Sequence, residues 1–174
     1  VVGKNYSYKP SSYPRIAVEN GKVYVVWASL NNTNNAGNDI EIFYRTNLTG
    51  KGWEDIQVIS EPVEGHDINT GISNYPDIAV ENGKIYVVWE DDNNTNNAGI
   101  DGDIFIRTNT TGTGWGPIEV ISEPVFGSDI NNADSNGARI DVENGNIFVV
   151  WDDYTNIDNA GIDGDVFFRQ YKSG

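Results

Sequence analysis

"VENGKVYVVW" (Val18–Trp27) recurs as "VENGKIYVVW" (Val80–Trp89) and again as "VENGNIFVVW" (Val142–Trp151), and the two intervals are equal. Other landmarks keep this register: Ala36-Gly37, Ala98-Gly99 and Ala160-Gly161; then Arg45, Arg107 and Arg169. Trp53 pairs with Trp115 and has no third copy. A fixed period of this size is the signature of a repeat architecture.

Inside one period every signal is β. "PDIAV" reads as a strand, "NG" as a tight hairpin turn, and "KIYVVWE" as a strand apolar on both faces. "DIFIRT" follows as a third strand, and the alternation of "IEVIS" fits a fourth with one face toward water. The predicted fold class is therefore all-β: three four-stranded antiparallel propeller-like blades of 62-residue period, the third lacking its outer strand.

The period divides the chain into an N-terminal segment (1–12), repeat 1 (13–74), repeat 2 (75–136) and an incomplete repeat 3 (137–174). The last residue, Gly174, stands in the register of Gly50 and Gly112, short of a fourth strand. The segment "KNYSYKP" alternates polar residues with Tyr6 and Tyr8 and carries Lys4 and Lys9, which reads as an extra strand. An unpaired sheet edge invites strand addition. Lys4, Tyr6 and Tyr8 are accordingly expected to dock on the open third repeat of another copy, building a fibre or a ring. A piece of a longer propeller is the alternative. The absence of methionine, even at position 1, fits a processed mature form.

"TNLTGKGW" (Thr46–Trp53) and "TNTTGTGW" (Thr108–Trp115) resemble a degenerate Asp-box, the S-x-D-x-G-x-T-W hairpin of the sialidase-like, BNR-type propeller family. Gly50, Trp53, Gly112 and Trp115 match it strictly, while Leu48 and Thr110 stand where its aspartate belongs. The resemblance implies propeller architecture. In that family the box is a folding element away from the active site.

The stretch "WEDDNNTNNAGIDGD" (Trp89–Asp103) is longer than an ordinary hairpin loop and rich in oxygen donors, as a hard cation requires. Ca2+ is expected there, on Asp91, Asp92, Asp101 and Asp103, and in the next copy on Asp153, Asp158, Asp163 and Asp165. The first copy keeps only Asp39 and Glu41, so its site is expected to be weak or absent. Asp92, Asn94, Asn96 and Asp103 match an EF-hand count at four positions, but Asn97 replaces the glycine and the flanks are strands. The plainer alternative is a polar hairpin whose Asp and Asn side chains cap their own turns.

Lys and Arg number 11 against 26 Asp and Glu, a net charge of -15 that disfavours nucleic acid and anionic lipid surfaces. No apolar run approaches the ~18 residues that span a bilayer, so no membrane insertion is expected. Without cysteine there is neither a disulfide nor a thiolate site. Asn-x-Ser/Thr triplets at Asn5, Asn31, Asn47, Asn93 and Asn109 predict glycosylation and an extracellular or cell-surface location.

Catalysis is not expected from these features. The family's sialidases use an arginine cluster, a tyrosine nucleophile with a glutamate partner, and an aspartate acid. Here Arg45, Arg107 and Arg169 recur in every repeat, which favours a structural role. Arg15 and Arg139 could grip an anion, but Asp77 stands between them in register. His66 is the only histidine. A non-catalytic structural or adhesive repeat protein whose partner is itself is the first expectation. A glycan-binding module comes second, and a fragment of a sialidase-like glycosidase third.

Overall fold

Asn20, Asn82 and Asn144 adopt φ of 49°, 54° and 54°, and Gly21, Gly83 and Gly145 adopt 77°, 77° and 74°. Two consecutive left-handed residues make the turn whose twist matches that of the strands it joins, so each "ENG" folds the chain into a hairpin. In the computed structural model, residues 9–48, 51–110, 114–124, 127–157, 159, 161 and 163–172 are described. The expected strand at Lys4, Tyr6 and Tyr8 lies outside them.

Blade 1 contains β1 (Ser11–Glu19), β2 (Lys22–Ser29) and β3 (Glu41–Leu48), whose outer edge pairs with two short pieces, β4 (Gly52–Trp53) and β5 (Gln57–Val58). Blade 2 is the meander β6 (Asn74–Glu81), β7 (Lys84–Asp91), β8 (Asp103–Asn109) and β9 (Ile118–Val120). Blade 3 is β10 (Ser135–Glu143), β11 (Asn146–Asp153) and β12 (Asp165–Lys172). All pairings are antiparallel, and each first strand carries a bulge at the same repeat position: between Ser12 and Arg15, Asn74 and Asp77, Asn136 and Arg139. The propeller-like architecture expected from the sequence is present, including a third blade of three strands among the described residues.

The first strands β1, β6 and β10 lie side by side without forming a ladder, as inner strands of successive blades do. Arg15 Nε stands 3.8 Å from Asp77 Oδ1, and the backbone N–H of Ile140 donates to Asp77 Oδ2 at 3.1 Å. This geometry answers the idea that Arg15 and Arg139 grip an anion. Asp77 already faces Arg15, and Arg139 donates to the carbonyls of Gly137 and Ala138.

Among the described residues the core consists of two slabs, one between blades 1 and 2 and one between blades 2 and 3, and a smaller cluster of Ala36, Phe43 and Val58 on blade 1. The middle blade is covered on both sides, so Tyr86, Val87, Val88 and Trp89 are all fully buried. The outer blades bury one face each. Blade 1 buries Tyr24, Val26 and Ala28, and blade 3 buries Ile147, Val149 and Trp151, positions of opposite parity in the repeat. Their other faces are more open, apart from the Ala36, Phe43 and Val58 cluster on blade 1: Ile16 is 65% exposed where Ile78 is 7%, and Phe168 is 59% exposed where Ile106 is 2%. The box tryptophans follow the same logic. Trp115 packs edge-to-face on Tyr44 of the preceding blade and its Nε1 donates to Gln57 Oε1 at 2.8 Å, whereas Trp53 is exposed under Arg45.

Candidate functional site

The bulge that opens each first strand places a tyrosine in an unusual conformation. Tyr13 and Tyr75 have φ of 51° and 48°, and the third equivalent, Gly137, has 65°. A bulky side chain at positive φ costs on the order of 1–3 kcal/mol. Both rings nevertheless sit at the surface, with centroids 4.4 Å apart and tilted by 46°. Strain held for an exposed aromatic pair makes this face a candidate site.

Glu90, at the end of β7 opposite Asn74, is half-buried beneath the same bulges. The side-chain amide of Asn136 donates to both of its oxygens, at 3.1 and 3.2 Å, and the backbone N–H of Gly137 bonds to it as well. Burial, and then the negative charge of Asp134, push its carboxyl up to about 7, the donated N–H offsetting only part of this. Asp92 and Asp91 act in the same upward direction. Glu90 also bears electrostatically on Tyr75, whose phenol is raised first of all by Tyr13.

This constellation breaks the repeat. The equivalents of Glu90 are Ala28 and Asp152, and the equivalent of Asp134 in the preceding repeat is Ile72. Where Tyr13 and Tyr75 carry rings, Gly137 carries none, and a Cβ there would meet only Asp152 Oδ2, at 3.7 Å. A carboxyl that titrates near neutrality can hold a proton for a leaving group. The aromatic pair offers a stacking platform beside it, and Asp134 and Asp92 supply a second carboxylate. A cavity of about 990 Å³ lined by Asn34, Arg45, Ile56 and Glu64 at the rim of blade 1 shares no residue with this site.

The carboxylates expected to bind calcium divide differently from the expectation. Asp91 Oδ2 accepts from Asn69 Nδ2, Ser73 Oγ and Trp89 Nε1, and its Oδ1 accepts from the backbone N–H of Asn93. Asp153 repeats this with Asn131, Ser135, Trp151 and Thr155. Both aspartates are hydrogen-bonding anchors for the approach to their own blade. Asp92 is exposed and accepts from the N–H of Ile72 at 2.5 Å. Asp163 is exposed, Asp165 is half-buried, and Asp158 lies outside the described residues.

Asp101 and Asp103, in contrast, turn toward Glu123 and Asp129 of the following linker. Asp39 and Glu41 do the same with Glu61 and Asp67. Asp39 and Glu41 of the first repeat thus stand among acids of the following linker as Asp101 and Asp103 of the second do. The loop between is a polar hairpin with its own organisation. Asn32, Asn94 and Asn156 each accept the N–H of the glycine that follows in the loop, at 3.1, 3.1 and 3.0 Å, from Gly37, Gly99 and Gly161. Asn34, Asn35, Asn96 and Asn97 occupy the left-handed region.

The glycosylation triplets fall unevenly. Asn31, Asn47 and Asn93 are half-buried, Asn5 lies outside the described residues, and Asn109 is buried at the end of β8. Sequence reasoning passed over Glu90, Tyr13 and Tyr75 because the count of acids is high everywhere. The usable signal was the break in the repeat: Glu90 against Ala28, and "YP" at Tyr13-Pro14 and Tyr75-Pro76 against "GA" at Gly137-Ala138.

The sequence matches no protein-family model and no curated protein. Solved structures do match. A sialidase from Trypanosoma rangeli aligns at TM-score 0.56 and 16% identity over 95% of this chain and 29% of its own. An α-L-arabinofuranosidase from Lactobacillus brevis aligns at 0.54 and 14% over 95% and 53%. A family 117 glycoside hydrolase from Zobellia galactanivorans aligns at 0.53 and 19% over 85% and 49%. The chain therefore spans about half the length, or less, of the structures it matches, and at these identities the likeness is one of fold. The expectation of a non-catalytic, self-assembling structural protein is overturned by this comparison. The neighbours that share the fold are glycoside hydrolases and a sialidase, and they agree with the third reading.

Proposed function

We propose that the chain is part of a propeller-type glycoside hydrolase and that its inner-strand face contributes to the active site. Glu90 donates the proton to the glycosidic oxygen, and Tyr13 and Tyr75 form the platform on which a sugar ring stacks. Asp134 and Asp92 are the candidates for the second carboxylate, which activates water or attacks the sugar directly. The observation that carries this reading is the position of Glu90. It is a half-buried acid beside strained, exposed tyrosines, at a place where the three repeats differ in chemistry.

The substrate is a glycan. The neighbours' names, sialidase and α-L-arabinofuranosidase, set the first panel to try. The "TGKGW" and "TGTGW" hairpins keep their reading as degenerate Asp-boxes, supported by the packing of Trp115 onto the preceding blade. An extracellular location is proposed on the triplets at Asn31, Asn47 and Asn93, and intact-mass analysis of the native protein tests it.

Hydrolysis of aryl arabinofuranosides, xylosides and sialosides is the direct test. Turnover that falls by roughly 100-fold or more in Glu90→Gln is expected. Saturable sugar binding at the tyrosines without turnover would leave a glycan-binding module. Neither binding nor turnover would remove the proposal.

A further inference from the structure

The junctions between blades concentrate negative charge, with Arg169 bearing on Glu123 at the second. Where blade 1, the linker and blade 2 meet, Glu41 and Glu61 are 0% and 1% exposed, and each keeps one side-chain oxygen, Oε1, buried without a hydrogen-bond partner. Asp39 Oδ1 is buried and unpartnered in the same way. The other oxygen of Glu41 is bonded by the Ser60 hydroxyl, and that of Glu61 accepts from the N–H groups of Ile68 and Asn69 at 2.9 and 3.1 Å. The charged neighbours that bear most on Glu41 are Glu61, Asp39 and Asp91, all of its own sign.

One period further along the chain, the arrangement repeats between blades 2 and 3. Asp103 and Glu123 are 1% and 2% exposed, and Glu123 Oε1 and Asp101 Oδ2 are buried without partners. Ser122 donates to Asp103 at 2.6 Å, and the N–H groups of Ile130 and Asn131 donate to Glu123. Leaving a buried carboxylate oxygen unpaired is costly, and the same omission at both junctions points to a ligand rather than to a packing accident.

At each junction a glycine brings two of these carboxylates together. A Cβ on Gly37 would lie 2.6 Å from Asp67 Oδ1 and 2.8 Å from Asp39 Oδ1. A Cβ on Gly99 would lie 2.6 Å from Asp101 Oδ1 and 2.9 Å from Asp129 Oδ2. Each glycine, at φ of 87° and 110°, lets two like-charged carboxylates close over the same spot. Asp67 and Asp129 are exposed, so each set of carboxylates includes one at the surface.

We propose that each junction binds one calcium ion, held by Asp39, Glu41, Glu61 and Asp67 in the first and by Asp101, Asp103, Glu123 and Asp129 in the second. The repeated donor set is oxygen only, rich in carboxylate and irregular, which suits calcium better than the strict octahedron of magnesium or the nitrogen and sulfur ligands of zinc. As the side chains stand, no group of three or more of them among the described residues is arranged around a common point. Like-charged carboxylates repel one another in the absence of an ion, and binding one requires them to close on it. The ion staples one blade to the next and does not depend on catalysis by Glu90.

The test is calorimetric titration of EDTA-stripped, desalted protein with CaCl2, and in parallel with MgCl2, alongside thermal melting. Two calcium ions per chain are expected, with affinity on the order of 1 mM or tighter and a melting temperature raised by roughly 5 °C or more at saturation. Glu61→Gln removes one ion and Glu61→Gln with Glu123→Gln removes both. Because glutamine keeps the shape and drops the charge, these variants melt no lower than the stripped wild type. Absence of calcium binding, an unchanged count in the double variant, or an equal response to magnesium overturns the proposal.

Discussion

The carboxylate of Glu19 accepts the backbone N–H of Gly83 at 2.7 Å, with its second oxygen on the N–H of Asn82 at 2.5 Å. Glu81 holds Asn144 and Gly145 identically, at 2.5 and 2.7 Å. The glutamate of each "VENG" therefore grips the turn of the next blade's hairpin. Its recurrence in every repeat is a blade-to-blade clasp as well as part of a turn.

Removing the clasp leaves two turn N–H groups to water. Glu81→Ala is expected to cost about 1–2 kcal/mol, in the range for hydrogen bonds to a charged acceptor at a half-exposed site. Glu143→Ala, whose residue holds no hairpin turn among the described residues, is expected to cost less than half of that. Denaturant unfolding of the two variants checks the difference.

Arg107 donates to the carbonyls of Gly116, Ile59 and Glu61 at 2.7, 2.9 and 2.7 Å, spanning from its own blade to the preceding linker. Its guanidinium is buried, which lowers its pKa, and truncation would strand those carbonyls. Arg107→Ala is expected to destabilise by roughly 3 kcal/mol or more. Arg45, bonded to the Glu54 carbonyl and lying over Trp53 at the surface, should cost about 1 kcal/mol or less on the same change. Equal costs in thermal melts would show that repeat position and not burial governs the arginines.

Tyr75→Gly relieves a left-handed backbone that glycine adopts freely, while it removes the ring that contacts Tyr13. Strain relief and lost stacking are each about 1 kcal/mol, so stability should shift by no more than that. Sugar affinity should fall by about 10-fold or more. Titration of the variant with the oligosaccharide that binds wild type separates the two effects.

Glu90 is raised from an ordinary 4.5 to about 7. Its contribution to stability is complete below pH 4.5, where the carboxyl is neutral in both states, and is lost as pH rises through 7. Glu90→Gln stays neutral, so relative to wild type it should gain about 1–3 kcal/mol between pH 5 and pH 8.5, the range already reduced for solvent screening of a half-exposed group. Hydrolysis by wild type should decline over the same upper limb, because the acid form is the donor. Parallel melts and rate profiles against pH give both curves.

The strands and turns were legible because their causes are local. β-branched and aromatic runs, and an Asn-Gly pair that tolerates positive φ, act within a few residues of themselves. Even the burial of "KIYVVW" on both faces could be read from composition. The partners of the acids could not. Asp91 and Asp103 end and begin strands that flank a single loop, yet Asp91 anchors the approach to its own blade and Asp103 faces the linker to the next. Neighbouring Glu90 points to the opposite side of the strand from Asp91, toward Asn136 and Gly137 of blade 3, because successive side chains alternate.

The sequence by itself thus determined a three-blade β repeat, the hairpin positions and a third blade of three strands, all consequences of short-range conformational preference and period. Only the tertiary structure decided which carboxylates meet. Blade packing juxtaposes groups that lie far apart along the chain, and it sets Glu90 apart by placing it half-buried against Asn136 and Gly137, near the Tyr13–Tyr75 pair.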